Sequence, residues 1–489
     1  GVAEIGDETL VNNGNKLYGA ESGSVFGIGN GEQGSSTIGS NDNSYIIIND
    51  MCHIRGSVYG GGNYGATGVV SSQNSTTTII KINGGQIDDS VYGGGNNNGA
   101  GNSTTKANVT ITMTDGIINN SIYGGSNELG TVYGKTNVNI LGGEVRGSVY
   151  GGGKGGYLNQ NNIGTFVTED VNVTIGTETS GPTINSVYGG SAYGSVNGTS
   201  QTTSVSSYNT KVVVNNGNIT NVFGGGEGSS DIIPYVCGNV DVDINNGIIT
   251  NVYGGNDTSG TPNGIVTVNL NDGVCTNIYG GGNKTGVLTT HVNLYGGTAN
   301  NVYGGSNEAG ANETNVKLDG SNITENLFGG SNKLGDVLET NVLIESGTAN
   351  NVYGGNNLGG TTNVSNVILN NGDIGTIYGG GNIATTTTTN VYINGSSVDT
   401  IYGGGNAADV LNETNIELNG DNPQIVFGGS NSSGNVRKSN INLQGSNVET
   451  IYGGNNLGGS LETSNINAIT GTAATIYGGS KKAVTNETN

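Results

Sequence analysis

Tryptophan is absent from this 489-residue chain, and proline (4), phenylalanine (5), cysteine (3) and histidine (2) are scarce. A chain so poor in large core side chains does not describe an ordinary pair of globular domains, so something regular must replace the usual core. Glycine is plentiful at 94 residues, but with so little proline and no glycine at every third position the collagen triple helix is excluded. Basic residues are also few, 15 against 37 acidic, for a formal net charge of −22. Nothing here could neutralise a run of phosphates, which excludes a nucleic-acid partner. Cys52, Cys237 and Cys275 stand far apart with no CxxC. With only two histidines beside them, a zinc site is excluded, and an odd, widely spaced set makes a poor disulfide framework. Cys275, in "GVCTNIYGG", reads as a small buried apolar residue. No apolar run reaches the ~20 residues of a membrane helix, so no membrane insertion is expected. Gly1 stands where an initiator Met or a basic and apolar leader would be, so the expectation is a mature or trimmed product.

What the chain has is one phrase, used seventeen times. Aligned on its aromatic, it falls at Phe26, Tyr59, Tyr92, Tyr123, Tyr150, Tyr188 and Phe223, then at Tyr253, Tyr279, Tyr303, Phe328, Tyr353, Tyr378, Tyr402, Phe427, Tyr452 and Tyr477. From Tyr253 onward the interval is 24 to 26 residues, and before that it stretches to between 27 and 38. The apolar fraction of 32% therefore recurs at fixed places, which a disordered low-complexity chain would not do. A fixed period with insertions at one place per repeat is the signature of a solenoid whose loops emerge on one side. Three segments follow: 1–22 as an N-terminal strand, cap or joining segment, 23–252 as coils with longer insertions, and 253–489 as regular coils.

Within a repeat the pattern is strand, turn, strand. In "TNVLIESGTANNVYGGNNLGG", Val342 and Ile344 alternate with polar or exposed neighbours, the period of two of a strand with one buried face. "SG", elsewhere "NGG", "NNG" or "DG", supplies positive-φ turn chemistry. The residue before the aromatic is always Val, Ile or Leu, as at Val58, Ile122, Val302, Leu327 and Ile451, so it must point inward. Val337 and Val410 suggest a third short side. No segment has helical spacing. The fold expected is all-β: a single parallel β-solenoid of about 17 coils, with a length on the order of 80 Å at ~4.8 Å per coil.

Like residues then stack on like. The aromatics form a ring ladder worth ~0.5–1.5 kcal/mol per pair beyond area burial. Because Phe replaces Tyr at four places, the ring should matter more than its hydroxyl. Asparagine, four residues past the aromatic, forms a second ladder at Asn30, Asn63, Asn96 and Asn127, and again at Asn283, Asn307, Asn332, Asn357, Asn382, Asn406, Asn431 and Asn456. Each stacked amide can donate to one neighbour and accept from the other, as in cross-β asparagine ladders.

Chemistry-bearing readings are weaker. "GGGKGG" at 151–156 resembles a phosphate loop, but no helix follows it. A calcium ladder needs Asp where this chain carries Asn, Gly or Ser, which leaves isolated sites near Asp257 or Asp336. A polysaccharide-cleaving solenoid needs converging carboxylates. Here Glu308 stands apart, while Glu313, Glu339 and Glu413 precede the "TNV" strand and read as a solvated stripe. His53 and His291 lie eight repeats apart, so no triad can be assembled around either. The threonines at 385–389 do not recur through many coils, unlike an ice-binding array. No catalytic role and no cofactor is expected. Sequons at Asn102, Asn172, Asn283, Asn312, Asn412 and Asn486 are frequent, as they must be in a chain rich in Asn, Thr and Ser.

The ends suggest a joint. "VTNETN", with Thr485, Asn486, Glu487, Thr488 and Asn489, matches "ANETN" at 311–315 and "LNETN" at 411–415, and stops before the inward residue of those strands. Val2 and Ile5 loosely resemble the missing strand. Subunits stacking head to tail through these residues would make the chain its own partner in an open polymer. A piece cut from a longer stalk is the other expectation.

The "TNV…GG…VYGGGN" pattern resembles the Gly/Asn-rich β-solenoid repeats of bacterial cell-surface and extracellular fibrous proteins, including adhesin-like stalks. The resemblance covers the chain from about Gly23 and is one of class. It implies an extracellular or cell-surface setting and a structural or adhesive role, with surface glycans or cell wall as alternative partners. A carbohydrate-binding or carbohydrate-processing solenoid is the alternative function. It would gather the insertions within 60–80, 152–170 and 189–210 into a groove.

Overall fold

Alternating β-branched residues, punctuated by glycine, build strands and corners. The computed structural model describes residues 2–5, 21–28, 43–63, 76–96, 105–155, 164–198, 204–396, 398–420 and 422–489, and among these every regular element is a strand. The fold is a parallel β-solenoid of about 14 turns with a period of about 26 residues. The turn count is slightly below the seventeen copies of the phrase. The chain falls into two compact units, residues 1–250 with 254–265, and residues 251–253 with 266–489.

In the second unit each coil stacks in parallel register on the next. On the long side Val292 pairs with Val316, Val316 with Val342, Val342 with Val367, and Val367 with Val391. On the aromatic side Val302 pairs with Leu327, Leu327 with Val352, and Val352 with Ile377. Residues of both columns are buried. Each is worth ~1.5–3 kcal/mol in transfer free energy, so a coil's few inward side chains become a core only when neighbours cover them. The third side carries the column Val337, Thr362, Thr386, Val410, Val436 and Leu461, all buried.

Two corners differ in why they need glycine. Between the long and aromatic sides, Gly347 has φ +100°, a conformation open mainly to glycine. The strands Val337–Tyr353 and Val436–Tyr452 each continue through this corner, where the sequence suggested strand, turn, strand, and their pairing with the neighbouring coil shifts register there. After the aromatic the cause is crowding. A Cβ on Gly329 would lie 2.3 Å from the carbonyl oxygen of Gly354 in the next coil.

The first unit uses the same plan. Strands Ser44–Ile48, Thr77–Ile82, Asn108–Met113, Thr136–Ile140, Val171–Ile175, Thr210–Val214 and Val240–Ile244 pair in order, all parallel. Here the third side is a small separate sheet of Gly130–Val132, Thr165–Val167 and Ser195–Val196. The insertions at 64–75, 156–163 and 199–203 lie outside the described residues, as do Asn30, Asn102 and most of 1–22. The expected loop groove therefore falls largely outside them. Among the described residues no helix is long and apolar enough to cross a membrane.

Candidate functional site

The side chains that repeat are those that join coil to coil. In the second unit the rings from Tyr253 to Tyr477 stack with centroids 4.5 to 5.1 Å apart and planes within 11°. In the first unit the run from Phe26 to Phe223 does the same at 4.7 to 5.0 Å. Burial pushes the phenols up, Tyr123 and Tyr402 to about 12. The hydroxyls are not idle. Asn332 Nδ2 donates to Tyr279 Oη, and Asn431 and Asn456 do the same to Tyr378 and Tyr402, each reaching a ring two coils earlier.

The amide ladder is continuous from Asn283 to Asn456. Each Nδ2 donates to the Oδ1 of the preceding rung at 2.8 to 3.0 Å. In the first unit Asn63, Asn96 and Asn127 form a shorter run. Lysine follows both runs in the aligned sequence, Lys154 after Asn127 and Lys481 after Asn456. The Oδ1 atoms of Asn127 and Asn456 accordingly have no hydrogen-bond donor. Lys481 instead places its ammonium 5.8 Å from the Tyr452 ring and 5.9 Å from that of Phe427.

Sequence reasoning missed three further devices. A second amide ladder runs along the outer face of the long side, from Asn315 through Asn341, Asn366, Asn390, Asn415, Asn440 and Asn465 to Asn489, at 2.8 to 3.2 Å. Glu313, Glu339 and Glu413, expected as a solvated stripe, brace it by accepting from Asn315, Asn366 and Asn440. The third device is the threonine at the position before these asparagines, replaced by serine at Ser365, Ser439 and Ser464, and before His291 at Thr290. Thr290, Thr314, Thr340 and Thr389 are fully buried, and each hydroxyl donates to the carbonyl of the first glycine past the aromatic in its own coil, at 2.6 Å. This clamp fastens the long side to the corner. Replacing Thr340 by Val keeps the shape, orphans the Gly354 carbonyl, and is expected to cost ~1–2 kcal/mol in denaturant titration. Thr340→Ser should recover most of it, as Ser365 already bonds the Gly379 carbonyl.

The remaining candidates are engaged locally. Asp336 accepts from the Thr361 backbone N–H at 2.8 Å. His53 pairs with Asp88 at 2.8 Å. The hydrogen bonds from Gln86 and His53 hold the Asp88 carboxyl below its usual range. All three cysteines are buried outside any disulfide, and burial pushes the Cys275 thiol up to about 12. Among the described residues no group of three His, Cys, Asp or Glu could hold a metal ion.

The proposed joint residues sit in different units. Val2 and Ile5 pair opposite Tyr45 and Ile48 in the first, and Thr485, Glu487 and Thr488 pair opposite Leu461, Thr463 and Ser464 in the second. Asn489 donates to Asn465, and Asn486 is exposed. A shallow groove of about 380 Å³ lies on the outer face of the long side, where Asn293, Asn315, Asn341 and Asn366 flank Leu343 and Ile368. No family model, curated protein or solved structure matches the chain.

Proposed function

We propose that this chain is a structural subunit of an extracellular fibre or surface stalk. The observation that carries this reading is that the ring and amide columns of the second unit are occupied in holding one coil to the next, while the hydroxyls fasten each coil to its own corner. Such a molecule transmits load along its stack and resists local opening, because every coil is held by several independent columns at once.

Head-to-tail stacking of copies extends the same logic. Ile469, Ile476, Tyr477 and Val484 are 48 to 62% exposed, whereas the counterparts of Ile476 and Tyr477 one coil earlier, Ile451 and Tyr452, are buried or nearly so. A further coil from a second copy would cover them by strand addition. Negative-stain microscopy of the purified chain tests this. Filaments that lengthen with concentration are expected, and replacing both Val2 and Ile5 by Asp should abolish joining. Discrete particles that never lengthen would reject the polymer, while ready digestion by proteases would reject the structural role itself.

A surface adhesin or carbohydrate-binding solenoid is the second reading, favoured by the amide-flanked groove beside Leu343 and Ile368. Glycan-array binding that disappears on Leu343→Asp would support it.

A further inference from the structure

In the first unit the position four residues past the aromatic changes chemistry. It carries Lys154, Ala192, Glu227 and Asp257 in consecutive repeats instead of asparagine. The spatial relation of that position to a ring two coils earlier is kept. In the regular coils it brings an amide N–H to the phenol oxygen, as Asn332 does to Tyr279 at 3.4 Å. Where the residue is acidic, the hydrogen bond reverses. Tyr150 Oη donates to Glu227 Oε2 at 2.6 Å, and Tyr188 Oη to Asp257 Oδ2 at 3.3 Å. An amide N–H can only donate to the phenol, whereas a carboxylate can take its proton.

We propose that Tyr150 and Glu227 form a one-electron oxidation site, and that the adjoining tyrosine stack holds the oxidising equivalent as a neutral tyrosyl radical. One electron passes from the Tyr150 ring to an external one-electron oxidant, the phenolic O–H bond breaks, and its proton moves to Glu227 Oε2. The products are a tyrosyl radical hydrogen-bonded to a neutral carboxylic acid, and the reduced oxidant. Without the carboxylate, oxidation of a ring this buried would leave an unpaired positive charge in an apolar setting, which is strongly disfavoured.

Two observations make the stack a holder of this radical. Tyr59, Tyr92, Tyr123, Tyr150 and Tyr188 follow one another at 4.7 to 5.0 Å between ring centroids, close enough for electron exchange between neighbours. Phe26 and Phe223 bound the run on either side, and a phenylalanine ring is far harder to oxidise than a phenol. Composition points the same way. With no Trp and only 2 Met against 23 Tyr, oxidising equivalents reaching this chain have tyrosine as their main destination.

The test is photo-oxidation of the whole chain by a ruthenium(III) polypyridyl, generated by flash with persulfate, followed by freeze-quench electron paramagnetic resonance. A neutral tyrosyl signal is expected. Glu227→Gln, which keeps an acceptor oxygen but cannot take the proton, should lower its yield at least about tenfold, the effect of losing a charged partner. Tyr150→Phe preserves the stack and should remove the same signal, with circular dichroism confirming the fold of both variants. A yield unchanged in Glu227→Gln would overturn the proposal. So would a signal that survives Tyr150→Phe and disappears only when the exposed Tyr133, Tyr208, Tyr295 and Tyr477 are replaced by Phe.

Discussion

Tyr353→Ala is expected to destabilise the second unit by about 3–5 kcal/mol, the range for truncating a buried aromatic. Tyr353 is 6% exposed and lies between Phe328 at 4.6 Å and Tyr378 at 4.5 Å, so truncation removes two stacking contacts and opens a cavity against both neighbours. Tyr353→Phe keeps both contacts and should cost no more than ~1 kcal/mol, the worth of one hydrogen bond. In a solenoid each coil touches only its neighbours, so the damage should be local before it is global. Hydrogen exchange should show protection falling first around residues 328 and 378, with coils farther along retaining theirs. A uniform loss of protection across the unit, or a cost for Tyr353→Ala no larger than for Tyr353→Phe, would mean that the stack does not hold the coils.

Much of this architecture could be read from the amino-acid order, because it depends on recurrence at fixed offset. The inward Val, Ile or Leu before each aromatic, the ring column and the amide column from Asn283 to Asn456 all announce themselves by repeating. What escaped is chemistry that needs the identity of a partner in another coil. Asn315 and Asn341 occupy outward positions of an alternating strand, where asparagine passes for solvent-facing filler. Their bond appears only when residues 26 apart are laid side by side. The signal available was the recurrence of asparagine, after Thr or Ser, directly before the inward Val or Ile from Asn315 to Asn465. Thr340 was hidden differently. Its hydroxyl is directed at a carbonyl 14 residues later in the same coil, across a corner whose angle the sequence does not encode. The bond between Tyr150 and Glu227 spans 77 residues, and although alignment on the aromatic places Glu227 in the asparagine column, it does not say that this column reaches a ring two coils earlier.

The amide ladder makes a prediction with a definite sign in pH. Asn332 is buried, donates to Asn307 Oδ1 at 2.9 Å and accepts from Asn357 Nδ2 at 2.8 Å. Asn332→Asp keeps the acceptor for Asn357 but faces Asn307 Oδ1 with an oxygen. In the neutral acid that oxygen carries a proton and can donate, whereas the carboxylate cannot and is also stripped of water. Both effects favour the protonated form, so the folded-state pKa of the new acid must lie above its unfolded value of about 3.9. A raised folded pKa means that the native state binds the proton more tightly. The variant should therefore be close to the parent below about pH 4 and lose stability as pH rises through the folded value. At neutral pH the deficit should be about 1–3 kcal/mol, the cost of a buried acceptor left facing Asn307 Oδ1, because the Tyr279 hydroxyl and the Asn357 amide can still donate to the carboxylate. Denaturant titrations of parent and variant from acid to neutral pH read this directly as a difference that widens with pH. A constant difference across that range would place Asn332 in contact with water and remove the ladder from the set of forces that hold coil to coil.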